Sequence, residues 1–121
     1  MDLILQPRDG FLLATAVGEQ SVDEALQICR DMLDSAARLG VRKILFDCLA
    51  LKGDLSAEER FELGRSIAEF CQQRFRVPAI ALIGKPPCVT GYAARVAANR
   101  GVTMETFSDR ERGLDWLRSR P

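Results

Sequence analysis

Histidine is absent from the 121 residues. That removes Ser-His-Asp and Cys-His catalysis, histidine-bearing zinc sites and the commonest general base near neutral pH. An enzyme built on this chain would have to work with carboxylates, lysine, tyrosine or cysteine. Net charge is missing too: 17 basic side chains balance 17 acidic ones, whereas nucleic-acid binders ordinarily carry a basic excess. No apolar run reaches the roughly 18 residues of a membrane span. The opening MDLILQPRDG has neither the basic start nor the long apolar stretch of a secretory signal. The expected location is the cytoplasm, with no membrane span and no nucleic-acid partner.

Paired cysteines are also lacking. Cys29, Cys48, Cys71 and Cys88 include no Cys-x-x-Cys spacing. Cys29 and Cys71 fall on the apolar sides of predicted helices and read as core thiols. Cys48 and Cys88 each follow a predicted strand, where they could approach one another. Inert thiols of a reducing compartment are the simpler account.

What is present is a regular alternation of strands and helices in one domain spanning residues 1–121. LILQ (3–6) and FLLATAV (11–17) flank PRDG, whose Pro and Asp-Gly supply turn chemistry for an antiparallel hairpin. A helix then opens at Ser21, with Glu24 completing a capping box, and closes at Gly40. Its apolar residues are Val22, Ala25, Leu26, Cys29, Met32, Leu33, Ala36 and Leu39, at helical spacing. VRKILFDCL reads as a buried strand ending near Asp47. A second helix opens at Ser56, boxed by Glu59. Ala57, Phe61, Gly64, Ile67, Ala68, Cys71 and Phe75 share one side of it, with Leu63 and Phe70 on the shoulder. PAIALIG is the next strand, Thr90 to Gly101 the third helix, VTMETF the last strand, and Ser108 with Glu111 the expected start of the final helix.

The order β-β-α-β-α-β-α-β-α implies an α/β fold with a mostly parallel five-stranded sheet, its N-terminal strand antiparallel because PRDG is too short for a crossover. Ligands in such a sheet gather outside the carboxyl ends of the strands. That edge collects GEQS (18–21), CLALKGDLS (48–56), GKPPCVT (84–90) and the Ser108 turn. Nucleotide motifs fail there. Gly84-Lys85 looks like the end of a P-loop, but Ala79 replaces its first glycine and Pro86 stands where Ser or Thr would hold magnesium. Asp47 suggests a phosphate-accepting receiver domain, yet Ala16 to Gly18 supplies no acidic pair and Phe107-Ser108 no lysine. Hydrogen bonding of Asp47 to its own loop amides is the simpler reading. No cofactor and no metal are implied.

Two weaker features remain. Lys85, Thr90 and the first amides of the third helix could hold a small anion, with Tyr92 and Arg95 beside them; a solvated lysine and a threonine cap account for the same residues. Leu63 and Phe70 widen the apolar face of the second helix beyond the ~100° a sheet requires. They are available to a neighbouring helix, a second copy of the chain or an apolar ligand.

KILFDCLALKGDLSAEERFELG, AARVAANRG and METFSDRERGLDWL together resemble the STAS superfamily, the fold of anti-sigma factor antagonists, and within it the SpoIIAA-like group of small bacterial proteins. In anti-sigma antagonists a phosphorylated serine stands where the loop enters the helix, in Asp-Ser-Ser/Thr-Gly. The corresponding run here is Asp54-Leu55-Ser56-Ala57, which puts a leucine at the acceptor position and makes Ser56 one place late. Ser56 is the phosphorylation candidate, but its hydroxyl is already explained as a helix cap. The resemblance implies a non-enzymatic regulatory or protein-interaction module, partnered by another protein or by itself as a homodimer. It would act through an edge comprising Asp47, Lys52, Asp54, Ser56, Lys85, Thr90, Tyr92 and Arg95. The alternative is a carrier or sensor of an apolar or anionic small molecule.

Overall fold

A computed structural model describes residues 1–74 and 76–121. Phe75, which the helical spacing places on the apolar side of the second helix, lies outside them. The elements follow the expected order: β1 Asp2–Arg8, β2 Phe11–Glu19, α1 Val22–Leu39, β3 Lys43–Lys52, α2 Ala57–Gln72, β4 Ala79–Ile83, α3 Tyr92–Asn99, β5 Met104–Phe107 and α4 Arg110–Arg118. The five strands form one sheet in the order β1-β2-β3-β4-β5, with β1 antiparallel to β2 and the remaining pairs parallel. Only Asp9 and Gly10 separate the hairpin strands, so Pro7 belongs to β1. A proline is tolerated there because β1 is an edge strand.

Strand alternation divides the interior into two cores. Leu12, Ala14 and Ala16 of β2, with Ile44, Phe46 and Cys48 of β3, face a large core shared by α1, α2 and α3. Leu13, Leu45, Ala81 and Ile83 face a small core closed by Leu117 of α4, with Trp116 and Leu114 packed against it. The parity of β3 changes at a bulge. Thr15 pairs with Asp47, but Val17 pairs with Ala50, so Ala16 faces two residues, Cys48 and Leu49. The extra residue re-aims the strand. Leu51 joins Cys48 in the large core, while Leu49 stands exposed.

Helix ends follow local chemistry, with some differences from expectation. Ser56 Oγ accepts from Glu59 N at 3.1 Å and Glu59 Oε1 accepts from Ser56 N at 2.9 Å, a complete capping box. At α1 the box is half made: Ser21 Oγ accepts from Glu24 N, but the Glu24 carboxylate pairs with the Met1 ammonium. Gly40 closes α1 at φ 69°, where its N–H and that of Val41 reach back to the Ala37 and Ala36 carbonyls. The cap of α4 is Asp109, which accepts from Arg112 N at 2.9 Å, and not Ser108. Helix α3 begins after Gly91 rather than at Thr90.

Both broad helices are rotated relative to the expected faces. In α1, Ile28 and Ser35 are buried and Leu39 is exposed. In α2, Phe61 is exposed under Arg100, whereas Phe70 is buried with Arg30 4.6 Å from its ring centre. For α2, packing against α1 on one flank and α3 on the other accounts for this, while Ile67, Ala68 and Cys71 join the core against the sheet. Gly64 marks the α2–α3 crossing: a β-carbon there would meet the Ala93 carbonyl oxygen and lie 2.7 Å from Val96 Cβ.

Candidate functional site

The loops at the carboxyl end of the sheet are tied together by two residues the motif reading did not single out. Arg60, on the first turns of α2, is buried. Its Nε donates to the Leu55 carbonyl at 3.0 Å, one Nη to the Cys88 carbonyl at 3.1 Å, and the other Nη to both the Pro87 carbonyl at 2.9 Å and Asp54 Oδ1. Gln20, between β2 and α1, donates from Nε2 to the Gly53 carbonyl at 2.9 Å and again to Cys88 at 3.0 Å. Cys88 adds a contact of its own, Sγ to the Leu51 carbonyl at 3.3 Å. A guanidinium presents five donors in a fixed fork, and here that fork holds the 85–91 loop against the 53–56 loop.

Around this clamp the expected edge residues separate into three environments. Asp47 is the clearest correction. It does not end its strand, because β3 continues to Lys52, and half of the expected 48–56 loop is therefore strand. Alternation points Asp47 to the α4 face, away from Cys48 and the clamp. There its Oδ1 accepts from Leu49 N at 2.9 Å, as the local-bond reading expected, and its Oδ2 accepts from Arg110 Nε at 2.6 Å.

Asp54 and Ser56 stay at the edge but are committed, the first to Arg60 and the second to the capping box. Lys52, opposite Glu19 in the β2–β3 pairing, Lys85, Thr90, Tyr92 and Arg95 are exposed. Among the described residues none of Lys52, Lys85 and Arg95 forms an ion pair.

At the start of α3, where Lys85 and Thr90 were expected to group, Thr90 serves the helix start itself. Thr90 Oγ1 accepts from Tyr92 N at 3.3 Å, and Gly91 caps the helix at φ 85°, a conformation glycine adopts without strain. Thr90 shares a shallow groove between α3 and β5 with Arg95, Glu105 and Thr106; Lys85 does not line it. Thr106 Oγ1 is buried there with no hydrogen-bond partner.

Leu63 and Phe70, the expected contact residues, find their surroundings within the chain. Phe70 belongs to the large core beside α1, and Leu63 lines a cavity in that core. The homodimer expectation loses the support it drew from them.

The thiols are shielded. Cys29, Cys48 and Cys71 are buried, and Cys88 is partly so. Burial, with the neighbouring Cys71, pushes the Cys29 pKa up to about 12. Burial, with Cys29 and Asp47 nearby, raises Cys48 well above the ordinary thiol value. Such thiols resist forming the reactive thiolate. Cys48 and Cys88 do line the same cavity, so the expected proximity extends to a shared wall. No group of metal-ligating side chains occurs among the described residues, and no helix there is long and apolar enough to cross a membrane.

No family model and no curated protein matches this sequence. Solved structures do match in shape. An anti-sigma factor antagonist from Mycobacterium paratuberculosis superposes with a TM-score of 0.64 at 10% identity, over 98% of this chain and 94% of that one. A protein of the DUF3478 family with a SpoIIAA-like fold from Shewanella loihica gives 0.55 at 24% identity, covering 96% and 92% of the two chains. The anti-sigma factor antagonist SpoIIAA in its unphosphorylated form gives 0.52 at 16% identity, over 98% and 100%. The architecture is thus the SpoIIAA-like fold. At these identities the likeness establishes the fold.

Proposed function

We propose that this protein is a non-enzymatic regulatory module that binds another protein through the surface around α2's start and the 85–92 loop. The observation that carries this reading is the Arg60–Gln20–Cys88 clamp. It uses the polar atoms of three loops to hold one another, leaving Lys52, Lys85, Thr90, Tyr92 and Arg95 to face outward on a preformed support. A surface ordered before encounter loses little conformational freedom on binding.

The chemistry an enzyme would need is dispersed. Asp47 lies on the opposite face paired to Arg110, Asp54 is held by Arg60, and Cys48 is buried. None of these hydrogen-bonds Lys85, Tyr92 or another of the group among the described residues. The structural neighbours named as anti-sigma factor antagonists favour a regulatory role acting on a protein. Without a serine at the acceptor position, and with Ser56 engaged as a cap, the interaction would be switched by something other than phosphate on that loop.

Site-specific photo-crosslinking in the host organism tests this. A photoreactive residue at Tyr92 or Lys85 is expected to yield a discrete adduct with one protein. The same residue at Gln6, on the exposed β1 edge, should give none. Equal labelling from both places, or none from Tyr92 and Lys85, would sink the interaction surface proposed here.

A further inference from the structure

Behind the clamp the large core is not filled. A cavity of about 60 Å³ lies between β3, α1 and α2 and the loop leading to α3. Its inner wall includes Ile28, Cys48, Leu51, Ile67, Ala94 and Met104, all buried. Its partly exposed lining comprises Met1, Gln20, Leu63, Cys88, Gly91 and Ala93 with exposed Thr90, so Leu63 stands at its rim on the α2 side.

The charged group and most donors around it are already engaged. Arg60 donates to four acceptors, Gln20 to two carbonyls, and the Cys88 thiol to Leu51. A charged guest would be stripped of water with no free counter-charge in the lining, and a hydrogen-bonding one would find only Gln20 Oε1 and the Thr90 hydroxyl. An apolar guest meets the opposite situation: apolar cavities stay dry and accept apolar bodies, with ~150 Å³ sufficing for benzene. This cavity is smaller, so its guest must be smaller or must leave part of itself in the mouth. Polarizable walls suit such a guest, since sulfur atoms of Cys29, Cys48 and Met104 line it alongside the aliphatic carbons.

We infer that this cavity is a binding site for a small neutral apolar molecule, a short aliphatic group being the chemistry that fits. The two cores of the molecule supply the control. Xenon, and then propane, titrated into isotopically labelled full-length protein should move the methyl resonances of Ile28, Leu51 and Ile67 saturably. Those of Leu13, Leu45 and Ile83, in the small core, should stay in place. Leu63→Trp at the rim should abolish the shifts while thermal unfolding remains cooperative.

Shifts that grow linearly without saturating, or that appear equally in both cores, would overturn the inference. So would a folded Leu63→Trp protein that still responds as the wild type does. Because the wild-type titration discriminates by itself, failure of the variant to fold leaves the test intact.

Discussion

Asp47 Oδ2 accepts a hydrogen bond from Arg110 Nε at 2.6 Å, joining a buried carboxylate in the middle of β3 to the first residue of α4. An arginine at a helix N-terminus opposes the helix dipole, so the carboxylate across from it is what makes that position acceptable. The pair also spends the aspartate on docking a helix. Arg110→Ala leaves the buried carboxylate without its charged donor and should lower stability by about 1–3 kcal/mol, read from urea unfolding. A loss below about 0.5 kcal/mol, the range of ordinary surface changes, would mean that solvent already screens the pair.

Arg60 should be irreplaceable even by lysine. A lysine ammonium is a compact charge without the planar fork, and it cannot reach the Leu55, Pro87 and Cys88 carbonyls together. Arg60→Lys is expected to cost at least about 1–3 kcal/mol, the penalty for one orphaned buried acceptor. It should also speed amide hydrogen exchange in residues 85–91 relative to β4. Unchanged exchange in that loop would show that Gln20 alone suffices to hold it.

Ser56→Ala removes one half of the α2 capping box. The expected loss is about 1 kcal/mol, with the fold retained and partner binding through Tyr92 and Lys85 unaffected. Chemical denaturation and a crosslinking comparison check the two halves of that statement separately. Loss of partner binding without loss of stability would restore Ser56 as a regulatory residue.

Gly64→Ala sets two effects against each other. Alanine improves helix propensity by about 1 kcal/mol over glycine, but its β-carbon meets the Ala93 carbonyl and Val96 at the α2–α3 crossing. The nearest obstacle is a backbone carbonyl and the next is Val96 Cβ, fixed to its own backbone, so neither can rotate away, and overpacking costs ~1–3 kcal/mol. Net destabilisation is expected. A stabilised variant would show that the two helices separate freely.

Alkaline pH should weaken the protein through its buried thiols. Cys29 has a folded pKa of about 12 against 9.0 for the free group, and Cys48 shifts in the same direction. Between those values the unfolded chain has lost the proton that the folded chain keeps. Stability is therefore intact below pH 9 and falls as pH rises toward the folded value, by ~1.4 kcal/mol per pH unit for each such thiol. Urea midpoints measured across this range check the trend, and Cys29→Val should make the decline shallower.

The element order, the antiparallel hairpin, the Ser56 box and the Gly40 stop were legible because each rests on local pattern or neighbouring residues. Asp47 was not. Its role depends on how far β3 continues past it and on the arrival of Arg110 from the distant start of α4. Arg60 escaped for a different reason: between Glu59 and Phe61 it reads as a solvated charge, and only the arriving 85–91 loop buries it. The exchange of Phe61 for Phe70 reflects the same limit, since a helix with neighbours on both flanks chooses its buried side by tertiary contact. At α4, Ser108 and Asp109 are both competent caps. Pairing of Phe107 with Ile83 carries β5 as far as residue 107 and leaves the helix to start after Asp109.

The separation of the two cores has a practical consequence for spectroscopy. Trp116 is the sole tryptophan, and it sits against the small core with Phe107 5.6 Å and Arg120 4.7 Å from its ring. Its emission is a gauge of how α4 lies on the sheet. A guest entering the large core behind Cys88 lies across the sheet from it and should leave that fluorescence unchanged. A flat tryptophan titration of this protein is therefore no sign that nothing has bound.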